Sequence, residues 1–185
     1  MLGNNMFAYC NGNPIRFSDH TGHAVWELST FAVLDGGSRR RDVTDEVLAA
    51  LEDTVSYAKA KHASSNMNIF EIIEEFYNLV NHEAPWDIKR QQPWENTIGT
   101  TYPGYEAQVL FCGEIMTPEM IGNFTYGYLG FEYGFSLDIL YGGSYYAAGF
   151  PVFDVSGLEN ELNDWEYIKK GYMYAKSEYI KGVIG

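Results

Sequence analysis

The stretch IGNFTYGYLGFEYGFSLDILYGG (residues 121–143) places the most specific requirement on the fold. At 3.6 residues per turn, Gly127, Gly130 and Gly134 fall on one stripe of a helix, with bulky aromatic side chains beside it. A glycine inside a helix costs about 1 kcal/mol relative to alanine. Because three such residues share one face, we predict that another backbone or a ligand lies close against it.

The composition of the 185-residue chain is that of an ordered globular protein. Hydrophobic residues make up 46% and aromatic residues 16% of the sequence, enough for a substantial core. The sequence contains neither a secretion signal nor an apolar run of membrane-spanning length. Its net charge of −13 argues against a non-specific nucleic-acid coat, because such binding depends on Lys and Arg that displace counterions.

No residue pattern in the sequence requires a metal or another cofactor. The two cysteines, Cys10 and Cys112, have neither the spacing of a zinc site nor the number of a disulfide framework, and we expect both to be small buried residues. We therefore predict no cofactor and no metal ligands. A lone carboxylate site for Mg²⁺ would leave no such pattern.

We divide the chain into three parts. Residues 1–23 form a turn-rich N-terminal segment, residues 24–43 a linker, and residues 44–185 a compact, mainly α domain. The apolar part of the linker fits a helix or a strand equally well. A short β-hairpin is expected around residues 108–116, where a β-prone run is followed by a glycine.

Helix starts are predicted from their capping residues. Thr44 is the expected N-cap of a first helix. Asn68 and Glu71 form a capping-box pair for a second helix, and Pro118 begins the helix that carries the glycine stripe. The apolar stripe of the second helix is expected to comprise Ile69, Ile72, Ile73, Phe76 and Val80.

Two further helices follow the glycine stripe. Ser136 begins the first of them, whose small residues predict a closely packed antiparallel pair with the stripe helix. Asn163 and Glu166 repeat the capping-box spacing, so the last helix is expected to begin there. Asp164 would then lie in the first turn, where a carboxylate stabilises the helix dipole by roughly 0.3–1 kcal/mol. That role alone would explain its charge.

The segment at residues 81–104 is too rich in proline to be regular throughout, and long loops of this kind often carry function. It contains Trp86, Asp87, Lys89 and Arg90. In a functional interpretation Asp87 is a general base or charge partner and Lys89 holds an anionic group. The alternative is a loop anchored by tryptophan with an ordinary Asp–Lys pair.

The N-terminal segment carries a recognisable motif, NMFAYCNGNPIRFSDHTGH. It resembles the terminal motif of the Rhs (rearrangement hotspot) repeat-associated core, in which an N-x-(F/Y)-A-Y-x-x-N-N-P stretch leads to D-P-x-G-H. In that family the motif closes a large β-shell and a variable toxin domain follows. Asp19-His20 stands in place of the D-P dipeptide, so autocleavage at this position is not implied. The resemblance suggests the tip of an Rhs gene or a displaced toxin cassette.

Across about residues 68–176 the chain resembles the bacterial polymorphic toxin type 44 family. The resemblance implies a mostly helical toxin domain used in interbacterial competition, which is predicted in that family to be a ribonuclease. Glu83-Ala84 stands where small, glycine-like residues are expected. The resemblance is carried by Pro85-Trp86-Asp87-x-Lys89, by Gly122-Asn123-x-x-Tyr126-Gly127-x-x-Gly130 with Gly134-Phe135, and by Asp164-x-x-x-Ile168-x-x-Gly171.

The resemblance also implies roles for individual residues. In a metal-independent ribonuclease, Asp87 would be the base for the 2′-hydroxyl, Lys89 the phosphate clamp, and Tyr126 an orienting or proton-donating group. Asn123 lies three residues before Tyr126, on the same helix face. In the alternative interpretation Asn123 caps the helix and Tyr126 packs. The implied catalytic residues are Asp87, Lys89, Asn123, Tyr126 and Asp164, and the implied substrate-binding residues are Trp86, Arg90, Gly122 and Gly127.

The implied partners are a cognate immunity protein, an RNA substrate and an Rhs shell, without insertion into a membrane. The expected location is outside the producing cell or inside a target cell, after delivery as part of an Rhs protein. Two other functions stay open. A cell-wall glycan hydrolase would use a carboxylate such as Glu132 with Asp87 or Asp138 and would suit an acidic, tyrosine-rich chain. A non-enzymatic structural or binding tip would use the glycines only for helix packing.

Overall fold

The computed structural model of the protein describes residues 31–33, 39–88, 90, 94, 108–147 and 158–184. The described part is mainly helical with small antiparallel sheets, which confirms the predicted fold class. Within these ranges, none of the helices combines the length and apolarity needed to cross a bilayer. The elements in chain order are β1 (Phe31–Val33), β2 (Arg39–Arg41), α1 (Thr44–Ser64), α2 (Ile69–Val80), β3 (Val109–Phe111), β4 (Glu114–Met116), α3 (Pro118–Glu132), α4 (Leu137–Ala147) and α5 (Leu158–Ile184).

The chain divides into two compact units. The first unit comprises Met1–Asn66 and Ile88–Glu119, and the second comprises Met67–Asp87 and Met120–Gly185. The predicted domain of residues 44–185 contributes to both units, and the predicted N-terminal segment of residues 1–23 lies outside the described residues.

The first unit contains the predicted hairpin. Strands β3 and β4 pair antiparallel, with Val109 opposite Met116. The turn residues Cys112 and Gly113 have φ values of 51° and 81°, the left-handed backbone that a type I′ turn requires at both central positions. This confirms the hairpin around residues 108–116. A second antiparallel pair joins β1 to β2, so Phe31–Val33, the described residues of the linker's apolar part, form a strand.

The start of α1 differs from its prediction. Val43 is the N-cap and Thr44 is already helical, so the predicted capping role of Thr44 is wrong. The Asp42 carboxylate accepts a hydrogen bond from the Thr44 amide at 3.0 Å, and the Thr44 hydroxyl accepts one from the Cys112 amide at 2.8 Å. Because Asp42 satisfies the first helical amide, the threonine side chain is available to link α1 to the hairpin turn.

Apolar side chains from α1, the hairpin and nearby segments form the core of the first unit. The α1 face follows the 3.6-residue period of an amphipathic helix. The buried residues of this core are Val43, Val47, Ala50, Leu51, Val55, Ala58, Ile88, Trp94, Val109, Leu110, Phe111 and Met116.

In the second unit, α2 begins as predicted but buries a different face. The Asn68 side chain accepts hydrogen bonds from the Phe70 and Glu71 amides, and the Glu71 side chain accepts one from the Asn68 amide, which confirms the capping box. The predicted apolar stripe is partly wrong. Phe76 and Leu79 are the buried residues of this helix, whereas Ile69 and Ile73 are 57% and 46% exposed. The helix is apolar over a wide arc, and the fold buries only one side of it.

The glycine stripe of α3 brings two helix backbones into contact. A Cβ atom on Gly127 would overlap the carbonyl oxygen of Ile168 in α5, and one on Gly171 would overlap the carbonyl oxygen of Phe124 in α3. Gly130 lies instead against the Leu140 side chain of α4. The predicted close approach is therefore present, but α5 supplies the backbone side of it. Aromatic pairs flank the crossing: Phe124 with Tyr174, Tyr128 with Tyr174, and Phe131 with Tyr172 and Tyr179.

The spacing of Gly134 predicted that it belongs to this stripe, but in the structure it does not. It follows the end of α3 with a φ of 83°. Its amide donates to the Phe131 carbonyl, and the Phe135 amide donates to the Gly130 carbonyl, which together form a Schellman cap. The left-handed backbone ends the helix, so the spacing prediction for Gly134 is wrong. Phe135 then packs on Phe76, with ring centroids 4.9 Å apart.

The predicted close pair of α3 and α4 is present. The Tyr126 hydroxyl donates a hydrogen bond to the Leu140 carbonyl at 3.2 Å. A Cβ atom on Gly143 would lie 2.6 Å from the same hydroxyl. Together with the contact of Gly130 and Leu140, these positions show that α4 runs antiparallel to α3.

Candidate functional site

A hydrogen bond joins Asn123 of α3 to Asp164 of α5. The Asn123 amide nitrogen Nδ2 donates to Asp164 Oδ1 at 2.7 Å, across 41 positions of sequence. Both residues are half-buried, so the pair lies at the edge of the helix interface and remains accessible to solvent. The structure thus brings together two of the five residues implied to be catalytic.

The glycine crossing explains why this pair can form. Asn and Asp have short side chains, and helices that pack through larger side chains have axes 8–10 Å apart. Asn123 lies four residues before Gly127, and Asp164 lies four residues before Ile168, which is the contact point of Gly127. The polar pair is therefore one helical turn away from the backbone contact on both helices. The close approach at Gly127 brings the short side chains within hydrogen-bonding distance.

The structure removes the simpler explanations of both residues. Helix α5 begins at Leu158, so Asn163 is not its cap and Asp164 does not lie in its first turn. The predicted helix-dipole role of Asp164 is therefore wrong. Asn123 lies inside α3, which begins at Pro118, and so does not cap that helix. In both cases the side chain serves the contact between the two helices.

The contacts of Tyr126 are those of a residue that packs helices together. Its ring packs against Phe76, with centroids 5.5 Å apart, and its hydroxyl donates to the Leu140 carbonyl. Burial raises the pKa of Tyr126 to about 12, so the phenol stays neutral at ordinary pH. These contacts favour packing over proton donation as the role of this residue.

Asp87 holds a turn. It is 7% exposed, and its Oδ2 atom accepts a hydrogen bond from the Glu83 amide at 2.9 Å. Its own amide donates to the Ala84 carbonyl. Glu83 has a φ of 62°, a conformation that favours glycine. Position 83 would therefore suit glycine better than a residue with a Cβ.

The remaining implied residues fall in several places. Trp86 is buried and its amide donates to the Leu79 carbonyl. Arg90 is half-buried in the first unit, and Lys89 lies outside the described residues, so the role of Lys89 as a phosphate clamp stays a prediction. Gly122 faces open space, since no neighbouring atom lies within 4 Å of a Cβ built there. Gly127 is covered by Ile168 and serves helix packing.

Sequence reasoning did not identify an aromatic pair next to Asp164. The rings of Tyr141 and Trp165 are stacked, with centroids 4.8 Å apart and an angle of 18° between them. The Trp165 indole donates to the Ser144 hydroxyl at 3.1 Å, and all three residues are half-buried. Burial, with the nearby charge of Asp138, raises the pKa of Tyr141. The pairing depends on the packing of α4 against α5, which leaves no local signal in the sequence.

Chemically, the centre of this site is an oriented carboxylate. A hydrogen bond from a neutral amide fixes the rotation of the Asp164 carboxylate, which is suited to accept a proton from a hydroxyl or a water molecule. Among the described residues, no group of three or more His, Cys, Asp or Glu side chains is arranged to hold a metal ion. Comparisons of the chain with protein-family models, with curated proteins and with solved structures each found no match. The interpretation of the site therefore depends on its own geometry.

Proposed function

We propose that the chain is the toxin domain of an Rhs-type protein used in interbacterial competition, and that it cleaves RNA at the Asn123–Asp164 pair. The observation that supports the site is the 2.7 Å hydrogen bond between two residues 41 positions apart, both of which the toxin resemblance had singled out. The resemblance supports the toxin class. A cognate immunity protein and delivery with an Rhs shell belong to the same proposal.

In the proposed reaction, Asp164 takes the proton of a ribose 2′-hydroxyl. The 2′-oxygen attacks the adjacent phosphorus, and the bond from phosphorus to the 5′-oxygen breaks, leaving a 2′,3′-cyclic phosphate. The departing 5′-oxygen takes up a proton from an acid or from water. Asn123 orients the Asp164 carboxylate through its hydrogen bond. Asp164 replaces Asp87 as the base because the Asp87 carboxylate is engaged in a turn.

The stacked Tyr141–Trp165 pair is the proposed surface for the substrate. Stacking of a base on an aromatic side chain is worth about 1–3 kcal/mol and does not need positive charge. A chain with a net charge of −13 gains little from phosphate contacts. We therefore expect binding to depend on these two rings more than on salt concentration.

A cell-wall glycan hydrolase is the second candidate, and the net charge of −13 favours it, because a glycan does not repel an acidic protein as RNA does. Such an enzyme needs two carboxyl groups about 5–9.5 Å apart. Its candidate acids are Glu132 with Asp87 or Asp138, and the same aromatic pair would stack on sugar rings. The third candidate is a non-enzymatic tip in which the glycines only pack helices.

Expression in two compartments separates these functions. The full chain is induced in the bacterial cytoplasm and, in a parallel strain, with an export signal. Growth arrest with loss of cellular RNA in the cytoplasm is the expected result. Lysis only on export would overturn the ribonuclease in favour of the glycan hydrolase. Normal growth in both strains, with soluble protein present, would support the non-enzymatic tip.

A conservative variant tests the base itself. Asp164→Asn keeps a side-chain oxygen that can accept the hydrogen bond from Asn123, but it removes the proton acceptor of the reaction. We expect a folded, non-toxic protein. The matched control is Glu166→Gln on the same helix, because Glu166 is largely exposed in an ion pair with Lys170, and this variant should stay toxic. An Asp164→Asn protein as toxic as the parent would remove Asp164 from the mechanism.

A further inference from the structure

Helix α2 leaves four of its large apolar side chains exposed. Ile69, Phe70, Ile73 and Tyr77 are 57%, 79%, 46% and 62% exposed. At 100° per residue they cover a continuous arc of about 100° next to the buried side of the helix. We call these four residues the α2 apolar face. Phe70 is the most exposed large apolar side chain in the described part of the chain.

The contacts of the described residues do not account for this surface. Helix α2 attaches to its unit through Phe76 and Leu79, which are buried, and through Glu75, whose carboxylate accepts a hydrogen bond from the Tyr133 hydroxyl at 2.9 Å. Single exposed apolar residues are common on proteins, but contiguous apolar patches mark sites of interaction. Four large side chains on three successive turns form such a patch.

The border of this patch is acidic. Glu74 and then Glu71 occupy the arc beyond Phe70, about 40° and 100° from it, and the helix contains no Lys or Arg. Glu74 lies four residues after Phe70 and is exposed, so its charge lies beside the apolar surface. A second copy of the chain would bring the same acidic border and the same net charge of −13 to the interface, which disfavours self-association.

We propose that the α2 apolar face is a docking surface for a protein partner that presents an amphipathic helix whose apolar ridge is bordered by Lys and Arg. The apolar ridge supplies the buried area, and the basic border faces the glutamates, which fixes orientation and accelerates association. This surface is separate from the Asn123–Asp164 pair and does not depend on the function of that pair.

Two synthetic helical peptides test the proposal. Both carry the same leucine stripe, one with lysines and the other with glutamates along its border. Each is titrated with the full chain and followed by fluorescence anisotropy. The lysine peptide is expected to bind at least about tenfold more tightly than the glutamate peptide, with an affinity that falls as salt is added. Equal binding of the two peptides, or no binding of either, would overturn the proposal.

Variants locate the binding surface. Phe70→Ser and Ile73→Ser are each expected to weaken binding of the lysine peptide by at least about tenfold, and Glu74→Lys should reduce the preference for the lysine peptide. The control is Ile139→Ser on α4, which is 60% exposed and should bind as the parent does. Circular dichroism verifies that each variant is folded. A loss as large in Ile139→Ser, or a parent dimer in sedimentation that Phe70→Ser dissociates, would exclude the proposed partner.

Discussion

In the first unit, α1 contributes large side chains such as Leu51 to a core of interlocking apolar groups. In the second unit, α3 meets α5 where Gly127 and Gly171 leave room for a carbonyl of the other helix. The first arrangement depends on large side chains that fill the core. The second depends on glycines, which have no side chain to keep the helices apart. The second arrangement brings two helix backbones close enough for two short polar side chains, Asn123 and Asp164, to meet directly. The mode of packing thus determines where the candidate site can form.

The largest effect is expected from removing atoms in the first unit. Leu51 is fully buried, so Leu51→Ala should lower the free energy of unfolding by about 2–5 kcal/mol through lost transfer energy and a new cavity. Urea denaturation measures the change. The control is Glu52→Ala, the exposed neighbour on α1, which should stay within about 0.5 kcal/mol of the parent. Similar losses in both variants would contradict the assigned core.

Adding atoms should have the corresponding effect in the second unit. Gly171→Ala places a Cβ against the Phe124 carbonyl, and we expect a loss of about 3 kcal/mol, at the upper end for overpacking, because a backbone cannot yield as a side chain can. Gly122→Ala is the matched control, since Gly122 lies in a helix and faces open space. It should gain up to about 1 kcal/mol. If both variants were equally stable, the backbone contact would be refuted.

The two acidic residues Asp87 and Asp164 provide the next test of the comparison. Asp87→Ala leaves the Glu83 amide without the acceptor seen in the structure and should cost about 1–3 kcal/mol. Asp87→Asn retains an acceptor oxygen and should be stable and toxic, whereas Asp164→Asn should be stable and non-toxic. Urea denaturation and growth assays measure the two properties. A stable, non-toxic Asp87→Asn protein would return the role of base to Asp87.

Tyr126 offers a smaller effect with a defined pH dependence. Tyr126→Phe removes the hydrogen bond to the Leu140 carbonyl and should cost about 1 kcal/mol at neutral pH. The pKa of Tyr126 is raised from 10.0 to about 12 in the fold, so the unfolded chain loses this proton first. The stabilisation by the neutral phenol is therefore complete below pH 10.0 and is lost as the pH rises to about 12. Thermal unfolding of both proteins across this range should show their stabilities converging, and a constant difference would contradict the assignment.

Local patterns predicted much of the fold. They could not show which capping or glycine patterns the folded chain uses and which it does not. The capping box at Asn68 is formed because all its partners lie within one turn of the backbone. The same spacing at Asn163 is inside a helix that begins at Leu158. Likewise, helical spacing groups Gly134 with Gly127, although Gly134 ends the helix. Residue spacing therefore predicts the role of a residue correctly only when the start and end of the helix are already known.

The candidate site depends on contacts that sequence periodicity cannot supply. The toxin resemblance drew attention to Asn123 and Asp164 as separate residues, but their pairing requires the crossing of α3 and α5. The stacking of Tyr141 on Trp165 requires the packing of α4 on α5 in the same way. The exposed side of α2 is a further example, because the sequence shows that a residue is apolar but not whether the fold covers it.

The smallest effect is expected from introducing a glycine at position 83 of the second unit. Glu83 has a φ of 62°, which disfavours residues with a Cβ. Glu83→Gly should therefore raise the free energy of unfolding, by at most about 1 kcal/mol. The matched control is Glu74→Gly. The same change at this exposed position inside helix α2 should cost about 1 kcal/mol. Urea denaturation of the two proteins should thus give shifts of opposite sign. A loss at Glu83 as large as that at Glu74 would mean that the glutamate side chain contributes more to the turn than its backbone conformation costs.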